Sequence, residues 1–171
     1  MKQLNTKKLA FLAVMVALQI VFTRTLGIDL GNVQRISFSF IPVTLASAVA
    51  GPIPSGIAAA VADIIGFFTK PTGPYFPGFT FNAFLGAVIY GFFFYKKELT
   101  LKRIVLANVV ATVVVNICLG TVWVHMLTGS PYGPLFTAKL PFQGLMLVIK
   151  IVVQALILKR LTDEAVRLFV K

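Results

Sequence analysis

The sequence predicts an all-α integral membrane protein, a single domain over residues 1–171 built as a bundle of six transmembrane helices. Hydrophobic residues make up 58% of the chain and charged residues 12%, whereas soluble domains contain about 45–50% and about 25%. The mean hydropathy of +0.92 agrees with this. Because one crossing takes about 20 residues, 171 residues hold five or six helices and leave no room for a soluble catalytic domain.

Six apolar segments follow one another along the chain. We expect transmembrane helices at about residues 9–26, 37–50, 55–68, 79–95, 104–127 and 140–158. We interpret the first as an uncleaved helix rather than a signal peptide, because no small-residue cleavage pattern precedes Thr23 and the rest of the chain is equally apolar. Pro42 is expected to break the second segment, and the prolines that follow Gly51 predict a tight turn before the third.

The net charge of +11 would suggest a nucleic-acid partner in a soluble protein. Here the positive residues lie between and beyond the apolar segments, which indicates membrane orientation instead. With the N- and C-termini in the cytoplasm, eleven basic residues fall on the inner side, and four fall on the outer side, namely Arg24, Arg35, Lys70 and Lys139. We therefore expect the outer loops to capture a ligand and no nucleic acid to bind.

Residues 63–91 are the first candidate for a binding site. Asp63 lies in an apolar helix, where an acid is costly unless it has a partner or a ligand. The loop after it, Lys70 to Phe79, is rich in Pro, Gly and aromatic residues. Such a loop is a poor slack connector, so we interpret it as a gate over a site.

Three of the helices carry polar residues at helical spacing. Asn82, Gly86 and Tyr90 share a face of the fourth helix; Asn108, Thr112, Asn116 and Gly120 share one of the fifth; Gln143, Lys150 and Gln154 share one of the sixth. Such stripes face a bundle interior or a polar cavity. The alternative is that the amides only join helices, at about 0.6 kcal/mol each. Together with Asp63, the stripes favour a polar cavity.

Enzymatic chemistry has no positive support in the sequence. A phosphate-binding Gly-x-x-x-x-Gly-Lys-Ser/Thr motif does not occur, so ATP hydrolysis in that manner is excluded. His125 is the only histidine and is better explained as an interface residue beside Trp123 than as a metal ligand. The single cysteine, Cys118, permits neither a disulfide within the chain nor a thiolate metal site.

Recognition of a polar small molecule fits the remaining residues. Arg24 and Arg35 are suited to carboxylates, which they bind through forked hydrogen bonds. Asp63 is suited to the amine and ring N–H groups of a pterin-like edge, or alternatively to an ion pair with Lys150. Four aromatic residues offer flat surfaces for a ring, although an interfacial aromatic belt would explain them too; they are Tyr75, Phe76, Phe79 and Trp123.

The chain resembles the substrate-binding S components of energy-coupling factor (ECF) vitamin transporters, and among them the folate-specific members. The resemblance rests on short motifs throughout the chain: Arg35-Ile36-Ser37-Phe38 with Pro42 after it, Gly51-Pro52, Asp63-Ile64-Ile65-Gly66, Phe76-Pro77-Gly78-Phe79-Thr80, Gly86 with Tyr90-Gly91, and Leu119-Gly120-Thr121-Val122-Trp123. It implies a plasma-membrane protein that binds folate or a reduced folate as transported substrate, without a cofactor.

The resemblance also implies partners that supply what this chain lacks. These are a transmembrane coupling (T) component and two cytoplasmic ATP-binding subunits, with docking through an Ala-x-x-x-Ala motif that matches Ala13 and Ala17. Spacing alone leaves packing inside the bundle as an alternative for these alanines. The expected substrate-binding residues are Arg24, Arg35, Asp63, Phe79, Asn82, Asn116, Trp123, Gln143 and Lys150. An S component for riboflavin or another vitamin, a stand-alone carrier and a small membrane enzyme are the alternatives.

Overall fold

The chain folds into a helical membrane bundle with one short hairpin. A computed structural model describes residues 6–30, 34–71 and 73–170, without the side chains at 28–30, 34–36, 157–159, 163, 166, 169 and 170. Within these ranges the helices are α1 (Thr6–Ile20), α2 (Phe40–Ala50), α3 (Pro52–Thr69), α4 (Pro77–Phe94), α5 (Leu101–Ala111), α6 (Gly120–Thr128), α7 (Tyr132–Val153) and α8 (Lys159–Val170). The strands are β1 (Ile28–Leu30) and β2 (Gln34–Ile36), paired antiparallel.

Five stretches are long and apolar enough to cross a membrane: Thr6–Thr25, Pro52–Thr69, Pro77–Phe94, Leu101–Thr128 and Tyr132–Leu156. Three π-helical segments, Val21–Thr25, Thr112–Leu119 and Gln154–Leu158, extend or join helices within this bundle. Many large apolar side chains point away from the bundle, for example Phe92 at 63% exposure and Leu106 at 53%. Because lipid is the favourable environment for such faces, the exposed surface is that of a membrane protein.

The 11 residues of α2 form a short internal helix, whose start and continuity the sequence analysis predicted wrongly. Pro42 lies in its first turn and does not break it, since a proline at a helix start removes an N–H that has no helical acceptor anyway. Eight of its side chains are buried, and Ser47 donates a hydrogen bond to the Ala87 carbonyl of α4 at 3.0 Å. The predicted segment of 37–50 was therefore three residues too long at its start.

Close backbone approach holds α3 against α4. A Cβ on Gly91 would lie 2.4 Å from the Pro52 Cα, and one on Gly56 would lie 2.8 Å from the Phe84 and Val88 side chains. Neither position has room for a side chain. Small residues at helix contacts are the usual way to pack helices in a membrane, where dispersion rather than water exclusion drives association.

A buried hydrogen-bond network ties α2, α4, α5 and the segment after α7 together. The Tyr90 hydroxyl donates to Asn108 Oδ1 at 2.8 Å, Asn108 Nδ2 donates to Gln154 Oε1 at 2.6 Å, and Gln154 Nε2 donates to Thr44 Oγ1 at 3.0 Å. Asn108, Gln154 and Thr44 are fully buried. The Asn108 and Gln154 amides are hydrogen-bonded to each other, so these two residues of the predicted polar stripes join helices.

The last long helix starts earlier than predicted. α7 begins at Tyr132, whereas the sequence suggested a loop to Pro134 and a helix from about residue 140. Lys139, which we had assigned to an outer loop, consequently lies inside α7 and is only 4% exposed. The helix accommodates three breakers: Gly133 and Pro134 near its start, where unpaired N–H groups are normal, and Pro141 in its interior.

Candidate functional site

A cavity of about 270 Å³ lies between the end of α1, the start of α2, the middle of α3, α4 and α7, and the π-helical segment that follows α5. Its polar lining comes from six helical segments and the connection before α2: Gln19, Thr23, Arg24, Ser37, Ser39, Asp63, Asn82, Tyr90, Asn116, Gln143 and Lys150. Apolar side chains such as Phe40, Val43, Phe142 and Met146 complete the wall. A mostly concave apolar site with a few convergent polar groups is the usual form of a small-molecule site.

Arg24 and Asp63 form one wall of the cavity, where they contact each other and neighbouring residues. Arg24 Nη2 lies 3.8 Å from Asp63 Oδ1, and Arg24 is only 8% exposed. The Thr80 hydroxyl donates to Asp63 Oδ2 at 2.8 Å, and it also shares a 3.0 Å hydrogen bond with the Tyr75 hydroxyl. Asp63 therefore holds the end of α1 to the start of α4.

The same arginine anchors the loop that the sequence suggested as a gate. Arg24 Nη1 donates to the Lys70 carbonyl, and Lys70 Nζ donates to the Arg24 carbonyl, both at 3.3 Å. The Arg24 guanidinium also lies 5.8 Å from the centre of the Phe67 ring, within the range of a cation–π contact. Phe67 packs edge-on against Tyr75 at 5.1 Å. The loop is thus fixed beside the cavity by polar and aromatic contacts.

The opposite wall carries amides and a second cation. Asn82 is held in place on both sides: its Oδ1 accepts from Trp123 Nε1 at 2.9 Å, and its Nδ2 donates to the Val115 carbonyl at 3.2 Å. Asn116, Gln143 and Lys150 complete this wall. Among the described side chains, no carboxylate lies within 4.0 Å of Lys150; Arg24 is the ion-pair partner of Asp63. The alternative of an Asp63–Lys150 ion pair is therefore wrong.

An aromatic cluster borders the cavity without lining it. The Phe76 ring lies 5.7 Å from Trp123 and 5.9 Å from Phe79, centre to centre. A Cβ on Gly78 would lie 2.7 Å from Trp123 and 2.5 Å from Phe76, so the glycine of Phe-Pro-Gly-Phe-Thr lets the rings pack closely. Asn82 connects this cluster to the cavity through its bond to Trp123.

The structure brings six of the nine expected site residues to one cavity: Arg24, Asp63, Asn82, Asn116, Gln143 and Lys150. Phe79 and Trp123 lie in the neighbouring aromatic cluster instead. The register of the hairpin places Arg35 opposite Asp29, but the Arg35 side chain lies outside the described part of the chain. Sequence reasoning overlooked Gln19 and Thr23, although two polar residues four apart in an apolar helix were a signal for them.

The arrangement supports the binding of a polar ligand. Within the described residues, no group of three or more His, Cys, Asp or Glu side chains lies close enough to hold a metal ion. Two cations, one acid and several amides and hydroxyls converge on one partly open cavity. These groups fix the orientation of a polar ligand through hydrogen bonds and charge. Fold and site together define a membrane-embedded protein that binds a polar small molecule.

The family follows from comparison with known proteins. The family described as "ECF transporter, substrate-specific component" matches residues 7–162, and the chain belongs to it. It is a multi-pass protein of the cell membrane and a substrate-binding component of a transporter.

Individual relatives agree with this family. A folate transporter FolT from Clostridium novyi (strain NT) is 43% identical over 153 residues, 90% of this chain and 87% of its own. A folate transporter FolT from Leuconostoc mesenteroides subsp. mesenteroides is 34% identical over 127 residues, 73% of this chain and 67% of its own. A crystal structure of FolT bound with folic acid superposes with a TM-score of 0.84 at 37% identity, covering 88% of this chain and 92% of that one.

Proposed function

We propose that this chain captures folate or a reduced folate from the outer side of the membrane. The relatives named above are folate transporters, and one of them was solved with folic acid. Folate combines a flat, hydrogen-bonding pterin ring with a glutamate that carries two carboxylates. A ligand of this kind needs an aromatic or polar slot for the ring and cations for the acids.

The observation that carries the proposal is the cationic polar cavity inside the helix bundle. Among its lining side chains, Arg24 and Lys150 are positive and Asp63 is negative. Asp63 already has one oxygen near Arg24 and the other on Thr80, and we assign it the pterin amine and ring N–H as further donors. A carboxylate oxygen accepts more than one hydrogen bond, so both roles are compatible.

The other expected site residues supply hydrogen bonds, aromatic surface and a further positive charge in this proposal. Asn82, Asn116 and Gln143 supply amide hydrogen bonds from the wall opposite Asp63. Phe79 and Trp123, with Phe76, provide the aromatic side of the entrance. For Arg35 the contact with a ligand carboxylate stays a prediction from the sequence.

We assign the chain six crossings, with both termini in the cytoplasm. The five long spans leave α2 as the sixth; at about 1.5 Å per residue it is shorter than the hydrocarbon layer, and it is enclosed by other helices. The excess of Lys and Arg at the α4–α5 turn and at both ends of the chain supports this orientation. The hairpin, the loop after α3 and the loop before α7 then share the outer face.

Release inside requires partners, which we propose to be a coupling component and two ATPases. Ala13 and Ala17 are exposed on α1, as is Ala10, whereas Leu12 and Met15 form its buried face. Their exposure supports a docking role over packing inside the bundle. An exposed stripe of small residues on a membrane helix allows another helix to approach closely.

The purified chain tests the substrate directly. Its single tryptophan, Trp123, contacts Phe76 and donates to Asn82, so its fluorescence should report ligand entry. We expect folic acid to change this signal saturably while riboflavin does not. Mass spectrometry of the small molecule that co-purifies would identify the natural ligand. Binding of riboflavin or another vitamin in place of every folate form would reject the folate assignment, and uptake in vesicles that lack any ATPase would support a stand-alone carrier.

A further inference from the structure

Lys139 is a buried lysine that the cavity described above does not include. It is 4% exposed and lies on α7. Its spacing of 4, 7 and 11 residues from Gln143, Met146 and Lys150 places it on the helix face that lines the cavity. At about 1.5 Å per residue it lies roughly 6 Å beyond Gln143, toward the loop between α6 and α7.

The surroundings of Lys139 contain no compensating charge among the described side chains. No carboxylate lies within 4.0 Å of its ammonium group, and Arg24–Asp63 is the ion pair of this region. The ion-pair partner of Asp63 is Arg24, and Glu98 is on the α4–α5 turn at the other end of the bundle. A lysine enclosed in a membrane bundle without a counter-ion is costly, and such residues usually serve a ligand or a transport path.

The ammonium group of Lys139 faces the space left by a glycine. An ideal Cβ on Gly120 would lie 3.5 Å from Lys139 Nζ and 3.9 Å from Asn82 Nδ2. Asn82 is a wall residue of the cavity, and its Oδ1 holds Trp123. The Lys139 ammonium therefore lies near Asn82, at the outer end of the cavity wall.

We propose that Lys139 binds a carboxylate of the ligand's glutamyl end and thereby selects ligands that carry it; this inference rests on the proposed folate function. Lys150, 11 residues deeper on the same face, is too far along the helix to share that group with Lys139. The doubly charged end of the ligand lies toward the loops, where it keeps part of its hydration. Lys139 thus determines specificity for the tail, and Asp63 and the amides recognise the ring.

A pair of ligands separates the two ends of the molecule. Folic acid and pteroic acid share the pterin and the aminobenzoyl group, but pteroic acid lacks the glutamate. In the purified full-length chain, we expect Lys139→Met to weaken folic acid binding roughly ten- to hundredfold, the loss typical of a charge-assisted hydrogen bond. Pteroic acid binding should stay within about twofold of wild type. The readouts are titration calorimetry and Trp123 fluorescence.

Two further variants keep the test independent of folding. Lys139→Arg preserves the charge and should retain a preference for folic acid over pteroic acid. Lys102→Met, which removes an exposed lysine at the start of α5, should change neither affinity. Without ligand, Lys139→Met should unfold at no lower temperature than wild type, because the replacement removes an unpaired buried charge.

The outcomes are distinguishable. Equal weakening of both ligands by Lys139→Met, or no weakening of either, overturns the role of Lys139 while leaving folate binding intact. Failure of the wild-type chain to bind either compound rejects the proposed function and this inference with it. If Lys139→Met does not fold, loss of the folic acid preference in a folded Lys139→Arg variant counts against the proposal, and retention supports it.

Discussion

Asp63→Asn is the perturbation that best separates recognition from scaffolding. The carboxylate lies 3.8 Å from Arg24 Nη2 and accepts a 2.8 Å hydrogen bond from Thr80. Asparagine keeps the size and one acceptor oxygen, so Thr80 retains its partner. The negative charge is lost, and with it the ion pair and the carboxylate that we assign to the pterin.

The size of the effect follows from this geometry. Two unit charges at 3.8 Å attract by about 4 kcal/mol at an effective dielectric constant of 20, before desolvation is subtracted. Because Asp63 is 23% exposed, we expect the unliganded protein to lose about 1–3 kcal/mol of stability, less than the 3–5 typical of a fully buried pair. Loss of a charged acceptor for the pterin should weaken both folic acid and pteroic acid roughly 10- to 100-fold.

Calorimetric titration of four proteins measures the change in affinity for each ligand. They are wild type, Asp63→Asn, Arg24→Met and the double variant, each titrated with both ligands. If Asp63 contacts the pterin, the double variant binds more weakly than Arg24→Met alone, because two separate ligand contacts are lost. If Asp63 acts only by holding Arg24, the double variant binds no more weakly than Arg24→Met. Unchanged affinity in Asp63→Asn would refute the pterin role and leave only the ion pair.

Three other changes have expected outcomes. Ala13→Leu or Ala17→Leu should abolish ATP-driven uptake while folate binding survives, whereas Val14→Leu on the same exposed helix should retain uptake; intact transport in both alanine variants would contradict docking there. Asn108→Leu should lower the free energy of unfolding by about 1–3 kcal/mol, measured by thermal unfolding in detergent, because its buried hydrogen-bond partners are left unpaired. An unchanged unfolding midpoint would show that stability does not depend on the network. Gly91→Ala should destabilise more than that or prevent folding, since its Cβ would overlap the backbone of α3; a normally folded variant would show that α3 and α4 can separate.

Much of the fold was readable from the sequence because a membrane imposes simple lengths and periods. Long apolar segments predicted the five long spans to within several residues at most ends. Polar residues every three or four positions predicted the walls of the cavity, since such a stripe must face away from lipid. Asn82, Asn116, Gln143 and Lys150 were found in this way, Asp63 was found as an acid in an apolar helix, and all five converge on the cavity.

Prolines led to wrong predictions of two helix boundaries, at the starts of α2 and α7. The sequence placed Pro42 as a break and residues 129–134 as a loop, yet Pro42 and Pro134 both lie within helices. A proline is tolerated where its missing N–H has no helical acceptor, and neighbouring groups in a bundle can compensate an interior one. The misplacement of Lys139 followed directly, because a residue in a supposed loop was not considered as part of a helix face.

The sequence by itself determined the environment of this protein, its helical architecture and most of the polar residues inside it. Composition and period are local properties, and burial in lipid makes them decisive. Only the tertiary structure decided which polar residues are hydrogen-bond or ion-pair partners of one another. It divided the stripes of the fifth and sixth predicted helices, so that Asn108 and Gln154 bond to each other while Asn116 and Lys150 face a cavity. It also gave Asp63 to Arg24 rather than Lys150, because the rotation and tilt of packed helices, which sequence spacing does not encode, select the partner.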